Sequence, residues 1–154
     1  MSGCPSTTPS GSLGGVSSSR WNSSWWSECG LQARNVAACQ RALERTRDYC
    51  RQRQIFGKPI LANQYIQYGL AELGAEVNLL QAYNHVVATR YDAGQDVARE
   101  STIAKFKVGR LHRQVADVVP QIHRGLGYIE ETWTARFLRD ARLTGIGGGS
   151  DEAI

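Results

Sequence analysis

The sequence lacks the features that define several large classes of protein. Its four cysteines lie far apart, with no Cys-x-x-Cys pair and no matched histidines, so their spacing supports neither a zinc site nor a disulfide framework. No apolar run approaches the ~20 residues that a membrane-spanning helix needs, and the N-terminus has no basic start followed by an apolar segment, as a secretory signal would. We therefore expect a soluble intracellular protein with reduced thiols, no metal site and no membrane association.

A strong charge of one sign is absent as well. Eighteen Lys and Arg residues oppose fourteen Asp and Glu residues, which gives a formal net charge of +4. These charges are scattered along the chain, so the sequence has no basic patch of the kind that binds nucleic acids. We expect no nucleic-acid partner.

Residues 1–30 contain little that predicts a fold. Residues 1–27 hold ten serines, a single arginine and no acidic residue, and a Ser/Gly-rich segment buries too little apolar surface to offset the entropy of ordering it. We predict a disordered leader over 1–30. A mitochondrial transit peptide is the alternative, although Arg20 is its only basic residue. The expected compartment is therefore the cytoplasm or the mitochondrial matrix.

From about residue 33 the apolar residues recur every three or four positions, as on one face of an amphipathic helix. A first helix ends near Phe56-Gly57-Lys58-Pro59, and a second of about 30 residues follows with Pro59 in its first turn. Asp96 can cap a third helix, which Pro120 should kink or end. The three predicted stripes are Val36, Cys39, Leu43, Thr46 and Cys50; Ile66, Leu70, Leu73, Val77, Leu80 and Val87; and Ala104, Val108, Leu111, Val115, Val118 and Ile122.

A shorter fourth segment, EETWTARFLRDARL at 130–143, has Trp133 and Phe137 four residues apart. Four helical segments with short connectors and no alternating strand pattern predict an all-α, up-and-down four-helix bundle over residues 31–154.

Three connectors combine glycine with a side chain that can hold an anion. Glycine lets backbone N–H groups approach a phosphate, and arginine adds a fork of donors. Each connector also has a purely structural explanation: Gly57 and Gly125 can end helices, Arg53 suits a helix C-terminus, and Gln121 can be a surface amide. The connectors are RQRQIFGKP at 51–59, QIHRGLGY at 121–128 and GIGGGSDE at 145–152.

Taken in order, these motifs resemble the C-terminal helical domain of acyl-CoA dehydrogenases. The resemblance covers residues from about 33 to 154 and implies a flavoprotein that binds FAD, oxidises an acyl-CoA thioester at its α and β carbons, and passes electrons to a flavoprotein partner. It rests on Tyr49-x-x-x-Arg53-x-x-Phe56-Gly57-Lys58-Pro59-Ile60, Gln64, LAEL at 70–73, Ala104-Lys105, Gln121-x-x-x-Gly125-x-Gly127-Tyr128, RDAR at 139–142 and IGGGSDE at 146–152.

The resemblance also implies roles for individual residues. In this family the domain supplies half of an FAD site across a dimer interface, so a homodimer or homotetramer is implied. Gln121 to Gly125, contributed from the partner subunit, would receive the ADP portion, and Gly148 would lie at the substrate carbonyl. The residues implied to contact FAD are Arg53, Gln54, Ile55, Phe56, Asn63, Gln64, Gln121, Ile122, Gly125, Ser150, Asp151 and Glu152.

No catalytic residue can be assigned by the same resemblance. The reaction needs a carboxylate to remove the α proton, and the two positions where the family places that Glu are Gly148 and Ser27 here. Glu28 lies one residue after the second position, and a one-residue offset turns a helical side chain by about 100°. Arg124 also replaces the first of the family's two adjacent glycines, which could either crowd the cofactor or add a contact to its phosphates.

Residues 1–27 carry none of the family's expected helical and β-sheet domains. The family's closing helix after the last loop is also missing, so we expect the last helix to be truncated. We expect a fragment with weak or absent FAD binding and no dehydrogenase turnover by itself. The alternatives are a non-catalytic helical oligomerisation module and a domain like that of acyl-CoA oxidases.

Overall fold

The computed structural model describes residues 18–147, with side chains described from residue 30 onwards. Within this range four helices form an up-and-down bundle, so the all-α prediction is confirmed. In chain order the elements are α1 (Ser18–Gln52), β1 (Gln54–Ile55), β2 (Lys58–Pro59), a 3-10 turn (Ile60–Ala62), α2 (Gln64–Asp92), α3 (Ala98–His123), α4 (Gly125–Tyr128) and α5 (Trp133–Thr144).

α1 begins earlier than its apolar stripe indicates. Its backbone is helical from Ser18, which differs from the disorder predicted over 18–30. That segment contains no proline and a single glycine, Gly30, so nothing in it stops a helix that propagates backwards from the packed part, where each added residue gains a hydrogen bond. The predicted disorder of residues 1–17 lies outside the described residues.

The core lies where α3 packs against α1, α2 and α5. Every residue of the predicted α1 stripe is buried, because the three- and four-residue spacing keeps those side chains on one face. Ile66, Leu70, Val118 and Ile122 are only half-buried, and Leu70 and Val118 pack against the edge of the main cluster. The main buried cluster consists of Val36, Cys39, Ala42, Leu43, Leu73, Val77, Leu80, Val108, Leu111, Val115 and Val119.

A small antiparallel hairpin joins α1 to α2. β1 pairs with β2 through Gln54 opposite Pro59 and Ile55 opposite Lys58, which leaves Phe56 and Gly57 as the two-residue turn. Both turn residues have positive φ, at 52° and 75°, as type I′ hairpin turns require. The predicted place of Pro59 in the first turn of the second helix is therefore wrong.

The true start of α2 is set by a side-chain cap. The Asn63 Oδ1 accepts a hydrogen bond from the Tyr65 N–H at 2.9 Å, which satisfies one of the free N–H groups at the start of a helix. α3 begins in a related way, because the Asp96 Oδ1 accepts from the Ala98 N–H at 3.0 Å. Pro120 lies inside α3, which continues to His123, so the proline does not end this helix.

Candidate functional site

An open cleft of about 440 Å³ lies at one end of the bundle, between the hairpin and the junction of α3 with α4. In an up-and-down bundle the end of α1, the start of α2 and the end of α3 lie at the same end, which explains how distant connectors meet here. The side chains that give this cleft its chemistry are Ile55, Phe56, Lys58, Asn63 and Arg124.

Three of the predicted cofactor-binding residues, Ile55, Phe56 and Asn63, line this cleft. Phe56 is completely exposed, at 101%, so its ring is free to contact a ligand. The other predicted residues in the described range do not line the cleft but lie within three residues of its lining along the chain: Arg53, Gln54, Gln64, Gln121, Ile122 and Gly125. The predicted Gly148, Ser150, Asp151 and Glu152 lie outside the described residues.

Backbone hydrogen bonds hold the hairpin side of the cleft on the end of α1. The Arg53 N–H donates to the Tyr49 carbonyl at 2.9 Å, and the Arg53 carbonyl accepts from the Ile60 N–H at 2.8 Å. Because both backbone groups of Arg53 are used, the turn at Phe56 has a defined position relative to the bundle. The side chain of Arg53 remains exposed.

Asn63 has two roles at this cleft. Its Oδ1 is occupied by the α2 cap, which leaves the side-chain NH₂ group to donate to a ligand. The Asn63 NH₂ group and the Lys58 ammonium line the same cleft, and such a pair suits an anionic ligand with several oxygen atoms.

The opposite side of the cleft is formed by Arg124, where the backbone is strained. Its φ and ψ are 56° and −133°, a combination that glycine adopts readily and that costs a non-glycine residue about 1–3 kcal/mol. From the sequence, Arg124 was expected either to crowd the cofactor or to add a phosphate contact, and the strain of its backbone was not foreseen. The feature of the sequence that points to Arg124 is a cation directly before Gly125 in the connector at 121–128.

A stack of rings lies behind Arg124 and holds the end of α3. The Tyr49 ring stacks on His123 at 4.3 Å between centroids, and Trp133 meets His123 edge-on at 5.5 Å. The Arg45 guanidinium lies over Trp133 at 4.3 Å. The stack therefore links α1, α3 and α5 at the residue that immediately precedes Arg124.

The hydrogen bond of His123 defines its tautomer. Its Nδ1 lies 2.8 Å from the Val119 carbonyl, and a carbonyl only accepts, so Nδ1 carries the proton. Burial lowers the pKa of His123, while the hydrogen bond to Val119 raises it and the Arg45 charge lowers it. With a pKa below its ordinary value, the ring is neutral at neutral pH and stacks as a neutral aromatic.

A second groove, of about 470 Å³, runs between α1 and α5. His112 lies at its base, 4% exposed, with Nδ1 2.8 Å from the Thr144 hydroxyl oxygen. Burial also lowers the pKa of His112, against a smaller opposing effect of Asp140. The groove ends at Gly147, where the described residues stop.

The part of the chain from 30 to 147 shows no cluster of three or more His, Cys, Asp or Glu side chains that could hold a metal ion. Burial raises the pKa of Cys39 to about 12 and also raises that of Cys50, which leaves both thiols unreactive at neutral pH. Among the helices that the structure describes, none is long and apolar enough to cross a membrane. Glu28 lies in α1, but its side chain lies outside the described set.

Comparison with known proteins gives a consistent result. The family described as "Acyl-CoA dehydrogenase, C-terminal domain" matches residues 28–154. The chain is 38% identical over 122 residues to "Probable acyl-CoA dehydrogenase YdiO" of Escherichia coli (strain K12), which covers 79% of this chain and 32% of that protein. It is 32% identical over 119 residues to the mitochondrial "Long-chain specific acyl-CoA dehydrogenase" of Rattus norvegicus, covering 77% of this chain and 28% of the relative.

A solved structure shows the same fold. The butyryl-CoA dehydrogenase of Megasphaera elsdenii superposes with a TM-score of 0.78 at 30% identity, over 81% of this chain and 33% of that one. The chain thus spans about a third of the length of the proteins that it matches.

Proposed function

Because the chain belongs to the acyl-CoA dehydrogenase family, through that family's C-terminal domain, we propose that it is the FAD-binding helical domain of such an enzyme. The cleft at Ile55, Phe56, Lys58, Asn63 and Arg124 receives the diphosphate and adenosine end of FAD. The observation that carries this proposal is the meeting of two cations, an amide donor and a free aromatic ring in one cleft.

The chemistry of the cleft fits a dinucleotide. A diphosphate needs cations and hydrogen-bond donors, which Lys58, Arg124 and the Asn63 NH₂ supply. An exposed phenyl ring such as Phe56 offers a face for an aromatic base or ring. FAD, when bound, supplies the hydride acceptor for acyl-CoA oxidation, and the residues of this domain hold and orient its nucleotide end.

The activity of the parent protein follows from the family. It is the α,β-oxidation of an acyl-CoA thioester with transfer of electrons to a flavoprotein acceptor. The chain by itself is inactive in our proposal, because its match covers one domain of the relatives and the two positions at which the resemblance places the base are Ser27 and Gly148, which carry no carboxylate. Measured acyl-CoA-dependent reduction of an electron acceptor by this chain alone would contradict that part.

Weak FAD binding by the chain is the first test. We expect FAD to bind weakly, because one side of its site is present, and we expect ADP to displace it, because the cleft takes the nucleotide end. Lys58→Gln should weaken binding about tenfold, as expected for one charge-assisted hydrogen bond. Saturation-transfer NMR at millimolar ligand concentration measures the binding of FAD, its displacement by ADP and the loss of affinity in Lys58→Gln.

A matched control for Lys58→Gln is Lys107→Gln, which removes the same charge from an exposed position on α3. Equal losses of affinity in the two variants would show that net charge, and not the cleft, governs binding. An FAD signal that ADP leaves unchanged would overturn the assignment of the cleft to the nucleotide end.

A second role, self-association, is favoured by the outer face of α2. The apolar side chains Tyr65, Tyr68, Leu79 and Val86 are 54–86% exposed there, and their separations of 3, 11 and 7 residues keep them on one face of the helix. We propose that this stripe binds α2 of a second copy.

The order of side-chain sizes along the stripe is self-complementary. If two copies cross antiparallel with Ala75 on the two-fold axis, Tyr68 lies opposite Ala82, and Leu79 lies opposite Ala71. A large side chain then meets a small one at both places. A two-fold interface is formed by the same patch on both copies, so the patch has to be complementary to itself in this way. The proposed homodimer or homotetramer is built on this contact.

Leu79→Glu should therefore shift the chain towards monomer, because the charge would have to be buried against the second copy. Light scattering after size-exclusion chromatography measures the mass. The control is Gln114→Glu, which adds the same charge at an exposed position on α3 and should leave the mass unchanged. A Leu79→Glu protein with the oligomeric mass of the wild type would exclude this surface.

A further inference from the structure

A side-chain hydrogen bond ties the end of α5 to the middle of α3. Thr144 is the last residue of α5, and its hydroxyl oxygen lies 2.8 Å from Nδ1 of the buried His112. The ring of Phe137, also on α5, meets the His112 ring at 5.1 Å between centroids. Two side chains of α5 therefore converge on one imidazole, at the base of the groove between α1 and α5.

Hydrogen bonding identifies the nitrogen that carries the proton in the neutral ring. The buried Nε2 of His112 has no hydrogen-bond partner among the described residues. If Nδ1 carried the proton, it would donate to Thr144, and both the Nε2 lone pair and the Thr144 hydroxyl hydrogen would lack a described partner. If the Thr144 hydroxyl donates to Nδ1, only the Nε2–H is left unpaired, which costs less. The neutral ring therefore accepts from Thr144 at Nδ1.

A second proton on His112 destabilises this arrangement. It adds at Nδ1, towards which the Thr144 hydroxyl points its hydrogen, and it creates a buried cation whose Nε2–H has no described acceptor. Burying a charge without a partner costs far more than burying a neutral ring. The charged ring is stabilised by contact with water, and that contact requires the ring to be uncovered.

The charged side chains around the ring do not offset this cost. α1 contributes Arg34 and α5 contributes Asp140 to the same groove, and Lys105 of α3 lines the small cavity beside Thr144. α2 contributes no described side chain to either space. Burial lowers the pKa of His112 more than the Asp140 carboxylate raises it, and Arg34 and Lys105 have the same sign of charge as a protonated ring.

The end of α5 is the part of these surroundings that can move. In this helix only Thr134 and Ala141 are buried, while Leu143 in its last turn and Ile146 just beyond it are 66% and 55% exposed. A segment with few buried contacts opens locally at a smaller cost than the whole bundle unfolds. His112 lies in the middle of α3, which packs on α1, α2 and α5, so uncovering its ring moves α5 and not α3.

We propose that His112 and Thr144 form a pH-sensitive latch, which holds the end of α5 on α3 while the imidazole is neutral and releases it when the imidazole takes up a proton. The latch does not rest on the proposed function, because neither residue lines the cleft that is assigned to the nucleotide. The connector at 145–152 follows α5 directly, so release makes the position of this connector depend on pH.

The direction of the pH dependence follows from the lowered pKa of His112. An exposed histidine has a pKa of about 6.5, so the released state takes up a proton at a higher pH than the latched state. Above about pH 6.5 the ring is neutral in both states and the latch is closed. Below this pH the released population rises by up to about tenfold for each pH unit, until the pH falls below the pKa of the latched ring.

Hydrogen–deuterium exchange of the full chain between about pH 7.5 and 5.5 measures the release. After correction for the intrinsic effect of pH on exchange, the protection of the amides at 141–147 should fall by up to about tenfold per pH unit below about pH 6.5. The amides at 73–80 in α2 are the internal reference, and their protection should change much less. An equal loss in both segments would show global unfolding and overturn the latch, as would protection at 141–147 that does not depend on pH.

His112→Asn tests which group takes up the proton. Asparagine keeps a hydrogen-bonding group near the position of Nδ1 but does not titrate, so the pH dependence at 141–147 should disappear. His123, whose pKa burial also lowers, is still present in this variant. The matched control is His85→Asn at an exposed position on α2, which should keep the pH dependence of the wild type. If His112→Asn keeps it as well, the proton is taken up elsewhere and the latch is wrong.

Two further measurements leave His112 in place. Thr144→Val removes the hydroxyl, so the protection at 141–147 should fall about fivefold at neutral pH through the loss of one hydrogen bond. In the wild type, the NMR signals of the His112 ring and of the amides at 141–147 should shift with one common midpoint. Two different midpoints, or a Thr144→Val protein with the protection of the wild type, would rule out this pair as the latch.

Discussion

Replacing Gly127 with alanine should destabilise the fold by about 3 kcal/mol or more. A β-carbon at this position would lie 2.2 Å from the carbonyl oxygen of Pro120 and 2.7 Å from its Cα. Both contacts are with backbone, which cannot turn away as a flexible side chain does, so α4 would have to move off the end of α3. Thermal or urea unfolding of the purified chain measures the loss.

The matched control is Gly74→Ala, within α2. No heavy atom lies within 4 Å of the β-carbon added there, and alanine in a helix is favoured over glycine by about 0.5–1 kcal/mol. The same chemical change should therefore stabilise one position and destabilise the other. Two variants with equal midpoints would contradict the close contact between Gly127 and Pro120.

The second large effect is expected for Trp133→Ala, with a loss of about 3 kcal/mol. The Trp133 ring meets His123, lies 6.1 Å from the Phe137 ring and receives the Arg45 guanidinium on its face. It is half-buried against the main core. Its removal takes apolar surface and ring contacts from the junction of α1, α3 and α5, and urea unfolding measures the change.

Leu138→Ala provides the comparison on the same helix. Leu138 is 46% exposed, so its replacement by alanine should lower the free energy of unfolding by less than about 1 kcal/mol. If Trp133→Ala unfolds at the same urea concentration as Leu138→Ala, the ring stack does not hold α5 on the bundle.

The long helices could be predicted well from the sequence. The stripes on α1, α2 and α3 are visible because helical spacing is a local property, and a side chain of the right type recurs wherever the helix turns back to the core. The family could be identified as well, because its motifs stand in order at matching separations. Each of these properties can be read without knowing which helices touch.

The ends of the helices were predicted less well. Pro59 suits both a first helical turn and a strand next to a turn, and the local sequence does not separate the two. Tertiary contacts do, since the Ile60 N–H pairs with the Arg53 carbonyl and closes the hairpin. The backbone of α1 is helical from Ser18, within the serine-rich segment for which the composition predicts disorder.

Helical spacing and the order of the motifs are therefore enough to establish the all-α bundle, the buried faces of its long helices and the family. The tertiary structure alone decided that Phe56, Lys58, Asn63 and Arg124 share one cleft, and that Gly127 has no room for a β-carbon. The physical reason is that a periodic pattern reports on neighbours along one helix, whereas a cleft forms where backbone segments far apart in the chain are brought together by the packing of α3 against α1 and α2.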